Sequence, residues 1–158
     1  MNVLNPISTI MSTDLKVVQA TDSVKKVQDL FETHKVHHLP VVGFKNIVGI
    51  VSKSDFLYFV KDTSKSKGDE LIQRTLLDYW KVEEIMTKEV TTVQEKDTIM
   101  KALEIFARNQ FHCLPVLDGE VLVGIVTPYD FIKKVIKEGL VSIGYNAKPG
   151  YDFKGSGY

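Results

Sequence analysis

The sequence predicts an α/β (α+β) fold made of two copies of one β-α-β-β-α unit, packed about an approximate two-fold axis. Three observations predict it. The chain repeats itself at a constant offset, each copy combines helical spacing with apolar runs rich in Val and Ile, and turn signals separate those runs.

The repeat has an offset of 75 and no gaps. Over residues 10–57 against 85–132, 17 of 48 positions are identical, far above chance. Ile10-Met11 returns as Ile85-Met86, Phe31 as Phe106 and His37 as His112. Leu39-Pro40-Val41 returns as Leu114-Pro115-Val116, Val48 to Val51 as Val123 to Val126, and Asp55-Phe56 as Asp130-Phe131.

Each copy opens with a short extended piece, Leu15 to Gln19 or Val90 to Gln94. Thr21-Asp22 and Lys96-Asp97 then read as helix N-caps. Val24, Val27, Leu30 and Phe31 recur at helical spacing, as do Ile99, Ala102, Ile105 and Phe106. Two runs rich in Val and Ile follow, 39–42 and 47–51, then 114–117 and 121–126. Asp118-Gly119 is a strong hairpin signal, and Phe44-Lys45-Asn46 is a weaker one. A second helix closes each copy, near 54–60 and 129–137. The expected organisation is a first repeat at 7–60, a linker with a connecting helix at 61–81, a second repeat at 82–137 and a flexible tail at 140–158. Ile72, Leu76, Tyr79 and Trp80 carry the connecting helix, and glycine and aromatic residues alternate in the tail.

Composition narrows the function. The 158 residues hold 20 Lys and Arg against 20 Asp and Glu, so no strong field draws nucleic acid or an anionic membrane. A single cysteine permits no internal disulfide, and no run approaches the ~18–20 apolar residues of a membrane span. A cytoplasmic protein that binds neither nucleic acid nor membrane is expected. His34, His37 and His38 lack acidic or thiol companions at ligand spacing, so no metal is expected. No phosphate-loop motif and no nucleophile–base pair is present, so the chain reads as a non-enzyme without a catalytic cofactor.

One pattern ends both copies: Gly49-Ile50-Val51-Ser52-Lys53-Ser54-Asp55, and Gly124-Ile125-Val126-Thr127-Pro128-Tyr129-Asp130. Glycine, two apolar residues, a hydroxyl and, three residues later, an aspartate stand where a strand hands over to a helix. A capping box needs the same residues, with hydroxyl at N-cap and acid at N3. A nucleotide suits them too. The helix N-terminus favours phosphate, the hydroxyls donate to it, and an ionised Asp55 or Asp130 can accept from two ribose hydroxyls. The glycines leave room for a ligand to approach the strand.

A Met-Ser/Thr start, a helix, His-x-Leu-Pro-Val and Gly-Ile-Val-Ser/Thr-x-x-Asp occur in order, twice. This constellation resembles the CBS domain, the cystathionine β-synthase type, which typically occurs as a tandem pair. The resemblance implies two inter-repeat clefts that bind adenosine ligands such as AMP, ADP, ATP or S-adenosylmethionine. It also implies a stand-alone regulatory, energy-sensing module that passes its state to a partner protein. Carried onto this chain, it places ribose and phosphate groups at Ser52, Lys53, Ser54 and Asp55, and at Thr127 and Asp130. The adenine wall would be Thr9, Leu15, His37, His38 and Pro40 in one copy, and Glu84, Val90, His112, Cys113 and Pro115 in the other. Glu84 stands where copy one has Thr9, so it is expected to repel phosphate from the second cleft. The alternative is a ligand-free scaffold used for dimerisation or partner binding. Apolar faces at Leu76, Trp80, Phe59 and Val135, with the packing that the resemblance implies, predict a homodimer.

Overall fold

The computed structural model describes residues 1–63, 70–109 and 111–142. The chain divides into two compact units, and these are not the two sequence repeats. One, the Asp55 unit, is Lys16–Val90. The other, the Asp130 unit, joins Met1–Leu15 to the described residues from Thr91 to Ser142. Each repeat thus places its first residues in the other repeat's unit.

The Asp55 unit contains β1 (Val18–Gln19), α1 (Val24–Thr33), β2 (His38–Gly43), β3 (Asn46–Ser52), α2 (Lys53–Thr63) and α3 (Glu70–Tyr79), then a 3-10 turn at Val82–Glu84. Its strands lie in the order β1-β2-β3, with β1 parallel and β3 antiparallel to β2. The Asp130 unit begins with a 3-10 turn at Ile7–Thr9. It continues with β4 (Val93–Gln94), α4 (Ile99–Arg108), β5 (Leu114–Asp118), β6 (Val121–Val126) and α5 (Pro128–Ser142). The same parallel and antiparallel pairings recur there, in the order β4-β5-β6.

Alternation explains the cores. Leu39, Val41 and Val51 are fully buried in one unit, and Leu114, Val116 and Val126 in the other. Phe31 meets Phe56 at 5.9 Å between ring centroids, and Phe106 meets Phe131 at 5.8 Å, which is the same contact 75 residues on. Ile7 and Val82, from the exchanged leads, are each 0 % exposed. The Ile7 amide donates to Asp97 O (2.8 Å), and the Val82 amide donates to Asp22 O (2.9 Å). The leads therefore fill the cores as well as edge them.

Several expectations are refined. The opening strands pair over two residues each, because only Val18–Gln19 and Val93–Gln94 join a ladder. The helix caps are Ser23 and Thr98, not Asp22 and Asp97. Those aspartates instead accept from the Gln19 and Gln94 amides at 2.7 and 2.8 Å, closing the preceding turn. Helix α2 runs on to Thr63 and α5 to Ser142. The linker residues 64–69 and the tail from 143 lie outside the described residues.

The face expected for dimerisation is also corrected. Phe59 and Trp80 cover each other edge-to-face at 5.7 Å, and Leu77 is buried on α3. Val135 is exposed as expected. Its exposed apolar companions are Ile132 and Ile136 on the same stripe of α5, while α2 exposes Leu57 and Tyr58.

The two hairpins turn differently. Gly119 carries φ +62°, which glycine adopts without strain. Phe44 occupies the corresponding place with φ +59°, and its ring is fully exposed.

A pair of strand-to-helix motifs

The Asp55 motif folds as the full capping box its spacing allows, and the Asp130 motif as half of one, its Asp130 amide donating to Thr127 O (3.0 Å). In the Asp55 unit the Ser52 hydroxyl donates to Asp55 Oδ2 (2.6 Å), and the Ser52 amide reaches the same oxygen (3.2 Å). The Asp55 amide donates back to Ser52 Oγ (3.1 Å). In the Asp130 unit the Thr127 hydroxyl and amide donate to Asp130 Oδ2 at 2.7 and 2.8 Å. Each box holds a carboxylate and a hydroxyl at the N-terminus of a helix of eleven or fifteen residues.

The settings differ sharply. Thr127 is 4 % and Asp130 6 % exposed, whereas Ser54 and Asp55 are exposed and Ser52 and Lys53 half-buried. Asp130 Oδ1 also accepts from the Ser12 hydroxyl at 3.3 Å. No such bond reaches Asp55 Oδ1 among the described residues. Cys113 belongs to the Asp130 unit and is buried. Burial pushes its thiol up to about 12, and the Asp130 charge pushes in the same direction.

The lead segments complete each site. Ser12 and Ile125 exchange two backbone hydrogen bonds (2.9 and 3.0 Å), as do Ile50 and Thr87 (3.0 and 2.9 Å). This changes the reading of the motif glycines. A Cβ on Gly124 would lie 2.6 Å from Met11 Sδ, and one on Gly49 would lie 2.5 Å from Met86 Sδ. The bare strand admits a methionine of the lead, not a ligand.

The expected adenine-wall residues regroup accordingly. Thr9 and Leu15 belong to the unit of Thr127 and Asp130, together with His112, Cys113 and Pro115. Glu84 and Val90 belong to the unit of Ser52, Lys53, Ser54 and Asp55, together with His37, His38 and Pro40. Glu84 is thus grouped with the Asp55 motif rather than with Thr127 and Asp130. Its carboxylate accepts from the Lys81 amide at 2.7 Å and caps its own turn. The Thr9 hydroxyl likewise donates to Pro6 O at 2.7 Å. The lead residue that meets a motif carboxylate is Ser12, three positions after Thr9 and one of the Met-Ser/Thr pair that opens each copy. In the Asp55 unit, His38 faces Ser52 across the β2–β3 pair, and the Lys53 amide donates to His37 O (2.8 Å).

An open groove of about 880 Å³ also lies in the Asp55 unit, lined by Tyr79, Trp80, Lys81, Glu83, Glu84, Met86 and Lys88. It touches none of Ser52 to Asp55, so it is separate from the motif. Among the described residues no His, Cys, Asp and Glu cluster could hold a metal ion, and no helix is long and apolar enough to cross a membrane.

The fold and the duplicated motif define a tandem-repeat α/β module. The CBS domain family model matches residues 7–62 and 82–137, and the chain belongs to that family. It is similar to an inosine-5'-monophosphate dehydrogenase of Thermoplasma acidophilum, at 32% identity over 127 residues. That match takes in 80% of this chain but 23% of the dehydrogenase. The chain thus spans about a quarter of that enzyme. Among solved structures it resembles CBSX2 in complex with AMP (26% identity, TM-score 0.70, 85% of this chain and 98% of that one). It also shares its fold with the CBS domain pair of protein MJ0100, solved with 5'-methylthioadenosine and S-adenosyl-L-methionine. There the identity is 23% and the TM-score 0.66, over 84% of this chain and 97% of that one. Its structural neighbours thus include CBS-domain proteins holding AMP or S-adenosylmethionine-type ligands.

Proposed function

We propose that this protein is a non-catalytic, cytoplasmic regulatory module that binds an adenine nucleotide and passes its occupancy to a partner protein. One observation carries the reading: both units present a hydroxyl and a carboxylate at a helix N-terminus, beside a lead segment contributed by the other repeat. The helix end favours phosphate, and the carboxylate face suits ribose hydroxyls. The AMP complex of CBSX2, a chain matched over 98% of its length, supports AMP as the first ligand to test. The module acts as a homodimer through the Ile132, Val135 and Ile136 stripe of α5.

The rival reading, a ligand-free scaffold, draws on the same boxes, since each Oδ2 is already engaged in capping. Asp55 Oδ1 separates the two. It has no hydrogen bond among the described residues, on an exposed side chain, and so stands available to a ligand. Thermal unfolding with AMP, ADP, ATP and S-adenosylmethionine decides. A ligand at about 100 times its Kd stabilises by about 2.7 kcal/mol. No shift with any of them at millimolar concentration leaves the scaffold.

A further inference from the structure

Two features of the Asp55 unit have no use in nucleotide binding. At the tip of the β2–β3 hairpin, Phe44 holds a left-handed backbone (φ +59°) and a wholly exposed ring. A bulky residue there carries a backbone cost that glycine avoids, and the ring stays in water. The second feature is the groove of about 880 Å³ walled by Tyr79, Trp80 and Met86. Both are missing from the other unit. At the offset of 75, Gly43-Phe44-Lys45 becomes Asp118-Gly119-Glu120, an acidic tip without a ring. Tyr79, Trp80, Glu83, Glu84 and Lys88 correspond to Leu4, Asn5, Ser8, Thr9 and Thr13, which hold no aromatic ring and no charge. The unit with the projecting ring is thus the unit with the aromatic groove. The two also stand at one end of it. The Glu83 amide donates to Ala20 O (3.0 Å), and Gln19, beside Ala20, pairs with Val42, two residues before Phe44.

We infer that this end of the Asp55 unit joins two copies of the chain, the Phe44 ring of each entering the Trp80 groove of the other. The inference is independent of the nucleotide reading. A groove of this volume takes the ring with room for Lys45 and Asn46 beside it. The charges match as well. The tip brings the exposed Lys45, and the groove carries Glu83 and Glu84 against Lys81 and Lys88. Of those cations, Lys81 already has an acidic neighbour, since it pairs in the backbone with Ser23 beside Asp22. Because ring and groove share one end of the unit, a two-fold exchange satisfies both at once and closes the assembly. A buried ring covers about 150–250 Å² and as much wall, so two exchanges bury about 600–1,000 Å², at the low end of specific interfaces. The association is therefore reversible and depends on concentration. It uses none of the α5 residues, which belong to the Asp130 unit.

Trp80 is the one tryptophan of the sequence, so intrinsic fluorescence reports on the groove. The test is sedimentation velocity of the full chain, with tryptophan emission read on the same samples, from low micromolar to near-millimolar protein. The wild-type chain should gain mass as concentration rises, and its emission should move to shorter wavelength in step. Phe44→Gly relieves the turn and keeps the fold, yet it should weaken that step by about tenfold or more. Lys45→Glu should weaken it by a smaller factor, and adding Glu83→Lys to the same chain should restore part of the loss. Circular dichroism checks the fold of every variant. Association of Phe44→Gly at wild-type strength assigns the contact to another surface, such as the α5 stripe, and overturns the inference. A gain of mass with no change at Trp80 overturns it in the same way. A wild-type chain that keeps one mass across the whole range overturns it outright and leaves the nucleotide reading untouched.

Discussion

The Ser12 hydroxyl donates to Oδ1 of Asp130 at 3.3 Å, joining residues 118 positions apart. With Oδ2 taken by Thr127, both oxygens of that buried carboxylate are engaged, while Asp55 uses one and is exposed. Asp130→Ala should therefore cost about 2–3 kcal/mol, because it strands the buried Thr127 amide and hydroxyl. Asp55→Ala should cost about 1 kcal/mol, an ordinary cap loss. Urea unfolding of the two variants compares them, and a larger loss at Asp55 would contradict the burial argument.

Gly49→Ala and Gly124→Ala should each destabilise by about 1–3 kcal/mol through overpacking against Met86 and Met11. Thr87 O and Ser12 O, at 3.1 and 3.2 Å from the added carbon, limit how far the backbone can yield. Pairing Gly49→Ala with Met86→Ala should cost less than the sum of the two single changes. Strict additivity in that double-mutant cycle would mean that the side chains do not meet.

Cys113 should resist alkylation. A thiol pushed up to about 12 is thiolate in only about one part in ten thousand at pH 8. Iodoacetamide should label the native chain slowly and the urea-unfolded chain at the rate of a free thiol. Rapid native labelling would show that the surroundings of Asp130 are open to water.

Phe44→Gly should stabilise the protein by about 0.5–1 kcal/mol. A left-handed conformation costs a non-glycine residue about 1–2 kcal/mol, partly offset by the extra unfolded-state freedom of glycine. Gly119→Ala tests the converse. Nothing lies within 4 Å of the added carbon there, so the loss expected, about 1 kcal/mol, comes from backbone strain alone.

Acid should expose the role of Asp22 and Asp97. Burial alone would raise both carboxyls. For Asp22 the Gln19 amide and Lys26 outweigh burial, and for Asp97 Lys101 and the Gln94 amide do so, holding each below its ordinary 3.8. Their contribution is therefore complete above the ordinary value and is lost as pH falls through the lowered one. Stability should drop below about pH 4, and the double change Asp22→Asn, Asp97→Asn should flatten that decline. An unchanged acid limb would remove these groups from the account.

Much of this was written in local pattern. Val24, Val27 and Phe31 face one core because helical period puts them on one side. Leu39 and Val41 share a face because strands alternate. What local pattern cannot encode is which copy receives a given lead. Ile7 and Ser12 open the first repeat by sequence, yet their hydrogen bonds go to Asp97, Ile125 and Asp130. Local pattern therefore groups Thr9 and Glu84 with their own repeats, whereas the structure groups each with the other repeat's unit. The caps were misread for a different reason, since Asp22 and Ser23 are both cap-competent neighbours and only the turn at Gln19 decides between them. Ser12 was visible as the hydroxyl that follows Met11, but nothing local shows that it meets the Asp130 carboxylate.

The exchange of leads constrains ancestry. A lone ancestral copy would have had its own Ile7 equivalent and no neighbour from the same chain to receive it. Two such polypeptides lending their leads to each other would close both cores, which is the arrangement that one chain with two copies achieves by itself. The covalent join then fixed the stoichiometry and freed each half to drift. Lys53 against Pro128 and His38 against Cys113 are the products of that drift.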